Sequence, residues 1–233
     1  MKKFGVLKKI SVLVLVLLVP GFLYYLLTAE GKNRYKPLPI FGPKQLANTF
    51  HLVKGKSVPD TIYHTLPDFK LTDQNGNAVT LSTFEKKIFI AGFFYTRCPS
   101  VCKVMNTYVS QLANTYAKNK AVEFVSITVD PMHDTAPVLK SYARGFNVPA
   151  AKWLFLTGDT SAIYGLARNG FLVNALQVGQ DNFIYSDKLI LIDPEKRIRG
   201  YYTGAATTDV NRLDDEIKVL ISEELRKKDK PLY

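Results

Sequence analysis

Runs of apolar residues broken by turn residues divide the chain into alternating strands and helices. The unbroken run Ile88-Phe89-Ile90-Ala91-Gly92-Phe93-Phe94 is short, β-branched and aromatic, which predicts a strand buried on both faces. A helix is predicted from about Pro99 to Lys118, with Val104, Tyr108, Val109, Leu112 and Tyr116 at helical spacing. A second buried strand, Val122 to Val129, ends in the turn-rich Asp130-Pro131-Met132-His133-Asp134-Thr135. Pro137 opens a helix carrying Leu139, Tyr142 and Phe146. A third strand covers Trp153–Leu156, and Thr160 caps a short helix to Arg168. Leu189–Ile192 and Ile198–Tyr202 flank a proline turn, which predicts a hairpin. A last helix runs from about Thr208 to Lys227. Upstream, Asn75-Gly76 between short apolar runs predicts an added β-hairpin within residues 61–86.

Strands alternating with helices predict an α/β fold, a mixed sheet flanked by helices. The β-α-β unit, closing hairpin and final helix are thioredoxin-like. Loops after parallel strands gather at one sheet edge, so the Cys98 loop and the Asp130–Thr135 loop are expected side by side.

The N-terminal pattern differs. Ile10–Leu27 is apolar apart from Ser11, Tyr24 and Tyr25, and a spanning helix needs about 17–25 such residues. A transmembrane helix over 10–27 is expected, in preference to a cleaved signal peptide, because the cleavage pattern after Leu27 is poor. Formal net charge is +11, from 31 basic and 20 acidic residues. Much of the excess flanks this segment. Lys2, Lys3, Lys8 and Lys9 precede it, and Lys32, Arg34, Lys36, Lys44, Lys54 and Lys56 follow with no acid among residues 31–59. Such crowding suits lipid headgroups rather than nucleic acid, for which no motif is present. The expected organisation is a cytoplasmic basic tail (1–9), the anchor (10–27), a basic linker without clear period (28–60), the folded domain (61–228) and a short tail (229–233). The domain is placed on the periplasmic or extracytoplasmic side of the cell membrane.

Both cysteines of the chain, Cys98 and Cys102, follow the first buried strand. If Pro99 occupies the first helical turn, the two residues share a helix face, and the helix N-terminus favours thiolate. The pair is a candidate redox couple, able to form a disulfide, and a candidate soft-metal site. Arg97 is placed to favour thiolate as well. A structural zinc site needs four ligands, which this chain does not bring together. Inert core cysteines leave the spacing unexplained.

Cys98-Pro-Ser-Val-Cys102 after a strand, Ile127-Thr-Val-Asp-Pro-Met-His-Asp-Thr135, Leu156-Thr-Gly-Asp159 near Trp153, and the segment Leu189–Gly204 together resemble the Sco/SenC family. The resemblance covers roughly residues 60–225. It implies a membrane-anchored thioredoxin-fold copper protein that serves assembly of the copper centre of a respiratory oxidase. It also implies copper on Cys98, Cys102 and a histidine just before a serine, eight residues ahead of Asp193. That position holds Tyr185, followed by Ser186. Lys103 likewise stands where the family often has proline. Cu(I) accepts two thiolates, whereas Cu(II) wants nitrogen too, so Cu(I) binding is expected to persist and Cu(II) binding to be largely lost. Of the three histidines, His51, His64 and His133, only His133 lies on a loop expected near the cysteines, as an outside candidate ligand. Two functions stay open: a copper chaperone acting on a respiratory oxidase subunit, and a membrane-tethered thiol–disulfide oxidoreductase acting on another thiol protein without a metal role.

Overall fold

The apolar runs form strands where the pattern places them. In this computed structural model, residues 3–26, 37–53, 55–98, 101–149, 151–179 and 182–229 are described. The chain divides into two units at Pro37/Leu38.

The first unit holds helix α1, Lys3–Tyr25. Val12–Tyr25 expose their side chains. Among the described residues no helix is long and apolar enough to cross a membrane. Of the expected span over 10–27, Ile10–Tyr25 is helical and Leu27 lies outside the described residues.

The second unit begins with an arm that corrects the expected linker. β1 (Lys44–Val53) and β2 (Lys56–Tyr63) pair antiparallel as a separate two-stranded sheet. Pro59 disguised β2 in the sequence, because proline is tolerated in strands only where no partner needs its N–H. β3 (Lys70–Asp73) and β4 (Ala78–Thr80) are the hairpin expected from Asn75-Gly76, and Gly76 takes φ +85° in its turn.

β5 (Ile88–Phe94), α2 (Val101–Thr115), β6 (Val122–Thr128), α3 (Ala136–Ala143) and β7 (Trp153–Thr157) follow. After them come α4 (Thr160–Gly165), β8 (Ala175–Gly179), β9 (Asn182–Tyr185), β10 (Lys188–Ile192), β11 (Ile198–Thr203) and α5 (Thr207–Asp229). Asp159, not Thr160, caps α4, accepting from the Ala162 N–H at 2.9 Å. Its carboxylate starts the helix one residue earlier than expected.

The main sheet has seven strands in the order β11-β10-β5-β6-β7-β3-β4. β5, β6 and β7 are parallel, and the outer strands run antiparallel. Alternation along β5 feeds two cores. Phe89, Ala91 and Phe93 pack on one face with Ile163 and Ala167 around α4. Ile88, Ile90 and Phe94 pack on the other with Met105 and Val109 of α2 and Leu213 and Ile217 of α5. The layering is the expected thioredoxin-like one.

The start of this unit is tied down by a buried cation. Arg199, 3% exposed, donates to Asp193 at 3.3 Å, to Glu223 at 2.8 Å and to the Leu38 carbonyl at 2.6 Å. Removing one member of a buried ion pair leaves the rest desolvated. Arg197 still pairs with Asp193 at 2.7 Å, which limits the damage. Arg199→Ala is expected to lower the unfolding free energy by about 3 kcal/mol, read from denaturant curves; a loss under about 1 kcal/mol would mean the network adds nothing net.

Candidate functional site

The parallel strands deliver their loops to one edge, as expected. β5 ends in the Cys98 loop and β6 ends in the Asp130–Thr135 loop. Asp134, fully buried, joins them. Its carboxylate accepts from the Thr96 backbone N–H at 2.9 Å and hydroxyl at 2.5 Å, and from the Thr128 hydroxyl at 2.5 Å. Asp130 accepts from Arg97 at 2.8 Å. Arg97 therefore pairs with the neighbouring loop. Asp130, His133 and Asp134 offer ligand atoms within 4.8 Å of one another, but the carboxylates are committed to Arg97, Thr96 and Thr128.

Cys98 and Cys102 are joined as a disulfide, with their Cα atoms 5.9 Å apart. Pro99, expected to open the helix, lies outside the described residues; the described helix starts at Val101. The Cys102 N–H donates to the Cys98 sulfur at 3.3 Å, so the first turn of α2 directs a backbone donor at that sulfur. The two cysteines are unequally accessible. Cys102 is 1% exposed, whereas Cys98 is half-buried. A cleft of about 500 Å³ opens beside Cys98, lined among others by Thr96, Lys103, Tyr142 and Phe146.

Tyr185 closes the other side. Its hydroxyl lies 3.1 Å from the Cys98 sulfur and 2.9 Å from the Cys102 sulfur. Disulfide sulfurs carry no proton, so the phenol donates. Tyr95 packs edge-on against its ring at 5.7 Å, and Phe183 packs on Tyr95 at 5.0 Å. Burial, with smaller contributions from Tyr95, Asp187 and Tyr142, pushes the Tyr185 phenol up to about 12. It is a neutral donor at physiological pH.

Tyr185 ends β9, and the β8–β9 hairpin was not expected. Leu176-Gln-Val-Gly179 alternates and Phe183-Ile-Tyr185 is a short apolar run, and these were the available signals. His133 bonds Asp134 at 2.9 Å and approaches Thr96 at 3.4 Å; these bonds go to the loop brace, not to a sulfur. His64 meets the Gly170 carbonyl at 2.7 Å and His51 meets Asp60 at 2.6 Å.

Two outcomes test this geometry. Asp134→Ala strips four hydrogen bonds from a buried carboxylate position, and bonds to charged groups are worth about 1.5–3 kcal/mol each. It is expected to destabilise the protein by about 3 kcal/mol and to speed reduction of the disulfide by dithiothreitol; unchanged reduction kinetics would disprove the brace. Tyr185 has a folded pKa above its ordinary 10.0. Its contribution to stability is therefore fully present below pH 10 and lost as pH rises through about 12. The difference between tyrosinate absorbance titrations of the parent chain and Tyr185→Phe should have its midpoint near 12. A midpoint at the ordinary value would show the phenol to be solvated.

Comparison with known proteins agrees with this architecture. The sequence model of the SCO1/SenC family matches residues 59–221. A SCO1 protein homolog of Bacillus subtilis is 26% identical over 167 residues, 70% of this chain and 86% of the relative. A SCO1/SenC family lipoprotein from Bacillus anthracis superposes with a TM-score of 0.64 at 26% identity, covering 68% of this chain and 95% of that one. Copper-bound ScoI of Bradyrhizobium japonicum gives 0.58 at 26% identity, covering 67% and 99%. With the family pattern spanning most of its length and the paired cysteines at the shared sheet edge, this chain belongs to the SCO1/SenC family.

Proposed function

We propose that the protein is a membrane-anchored, extracytoplasmic copper-handling protein that serves assembly of the copper centre of a respiratory oxidase. Its reduced cysteine pair carries Cu(I) as cargo. Sco-family proteins bind copper and take part in cytochrome c oxidase assembly. The observation that carries the reading is the Tyr185 hydroxyl within 3.1 Å and 2.9 Å of the two sulfurs. It completes a three-cornered site whose corners are two sulfurs and a phenol.

The donor set decides which copper fits. Two-electron, two-proton reduction of the disulfide gives two thiols, and their thiolates suit soft Cu(I). Tyr185, with its pKa raised, stays protonated and donates to sulfur rather than ligating metal. The resemblance implies a histidine at this corner, and the substitution removes the nitrogen that Cu(II) wants. His133, engaged with Asp134, does not replace it. The apolar run Ile10–Leu27 with lysines on both flanks supports the anchor, and the basic excess supports contact with headgroups.

A second reading is favoured by the unequal exposure of the cysteines: thiol–disulfide exchange without metal. In the reduced protein the Cys98 thiolate, supported by the Cys102 N–H, attacks a partner disulfide and forms a mixed disulfide. Cys102 then attacks Cys98, the Cys98–Cys102 bond forms, and the partner leaves as a dithiol. Two electrons pass from the pair to the partner.

Anaerobic titration of the reduced full-length protein with Cu(I) against a competing chelator separates the readings. One tight equivalent is expected, abolished by Cys98→Ser. No tight site, together with rapid reduction of a model disulfide, would favour exchange alone. Tyr185→His is expected to gain a Cu(II) complex with a sulfur-to-copper charge-transfer band; a colourless variant would mean Tyr185 is not the third corner.

A further inference from the structure

The β1–β2 arm has no part in the cysteine chemistry. Pairing sets Leu46 opposite Thr61, Phe50 opposite Pro59 and Leu52 opposite Ser57. Thr61, Pro59 and Ser57 alternate along β2, and opposed residues share a face. Leu46, Phe50 and Leu52 therefore project from one side of the ribbon. They are 73%, 64% and 77% exposed, whereas the opposite face mixes His51 and Asp60 with the less exposed apolar residues Val58 and Ile62, 37% and 55%. Large contiguous apolar exposure of this kind marks an interaction surface.

The arm is held at its base. Pro43 accepts from the His64 N–H at 3.1 Å, and the Phe41 N–H donates to Ile198 at 2.9 Å. The His64 ring reaches Gly170. Its charge is one-sided. Lys44 stands at the base and Lys56 at the start of β2 beside the turn, and the sequence from 31 to 59 has no acid. The acid on β2, Asp60, is engaged by a hydrogen bond with His51 at 2.6 Å.

We propose that the β1–β2 arm docks on an anionic lipid surface, with Leu46, Phe50 and Leu52 seated in the interfacial region and the lysines on headgroups. Apolar side chains ringed by lysines on a narrow ribbon match an interface where hydrocarbon meets anionic charge. The proposal rests in part on residues 10–27 acting as an anchor, which keeps the arm at a bilayer.

The test uses the full chain reconstituted in phosphatidylglycerol–phosphatidylcholine vesicles with brominated acyl chains. Phe50→Trp places a reporter on the apolar face, and Ile62→Trp places one on the opposite face. The one native tryptophan, Trp153, is buried, so the parent chain supplies the baseline. Phe50→Trp emission is expected to shift blue and be quenched by the brominated lipid. Quenching should be roughly halved at 1 M salt, where the Debye length is ~3 Å, and largely lost in phosphatidylcholine alone. Ile62→Trp should stay unquenched.

If the chain pellets with vesicles through a salt wash while Phe50→Trp is unquenched, the arm is not a lipid-docking element, although the anchor stands. An unquenched reporter on a chain that does not pellet overturns both. Equal quenching at both positions contradicts the one-faced geometry. A blue shift without lipid that grows with protein concentration assigns the face to a second copy and overturns lipid docking.

Discussion

The site depends on one buried carboxylate. Asp134 sits between the ends of two neighbouring parallel strands and takes hydrogen bonds from Thr96 and Thr128. A carboxylate removed from water must be fully satisfied or it destabilises the fold. Satisfying it requires the residue two before Cys98 to lie against the loop after β6. The position of the first cysteine is thus set by the solvation requirement of an acid on another loop. The Arg97–Asp130 pair repeats the same link at the rim.

With that brace in place, the two sulfurs have different surroundings. Cys102 lies against the α2-side core with Met105 and Val109. Cys98 faces a cleft and receives a backbone N–H. Attack from outside meets Cys98 first, while Cys102 is shielded. Either proposed activity, cargo binding or thiol exchange, would use this arrangement, because each needs one sulfur that a partner can reach and a second that holds position.

Much of this was legible in the sequence because strong periods carry it. The run Ile88–Phe94 and the helical stripe on α2 could form little else, and the joining of the Cys98 and Asp130–Thr135 loops followed from parallel topology. What escaped were elements whose signals are short or masked. β2 contains Pro59, and β8–β9 are brief with exposed faces, so neither reads as buried strand. The duty of Asp134 was illegible for another reason. An acid in a turn looks the same whether it is solvated or buried, and only tertiary packing distinguishes the two. Arg97 shows a related limit: its link to Asp130 joins loops 33 residues apart and could not be read from its neighbours in sequence.

Tyr185 reaches the sulfurs from a two-stranded hairpin that is not part of the seven-stranded sheet. The cysteines belong to the sheet edge and α2, whose packing holds the domain together. The third corner is carried by a separate ribbon, anchored by Phe183 and Ala175 in the opposite core. The proposed third corner can therefore be exchanged with little disturbance of the scaffold. Selectivity and foldability are written in different parts of the molecule, and a lineage can retune one while conserving the other.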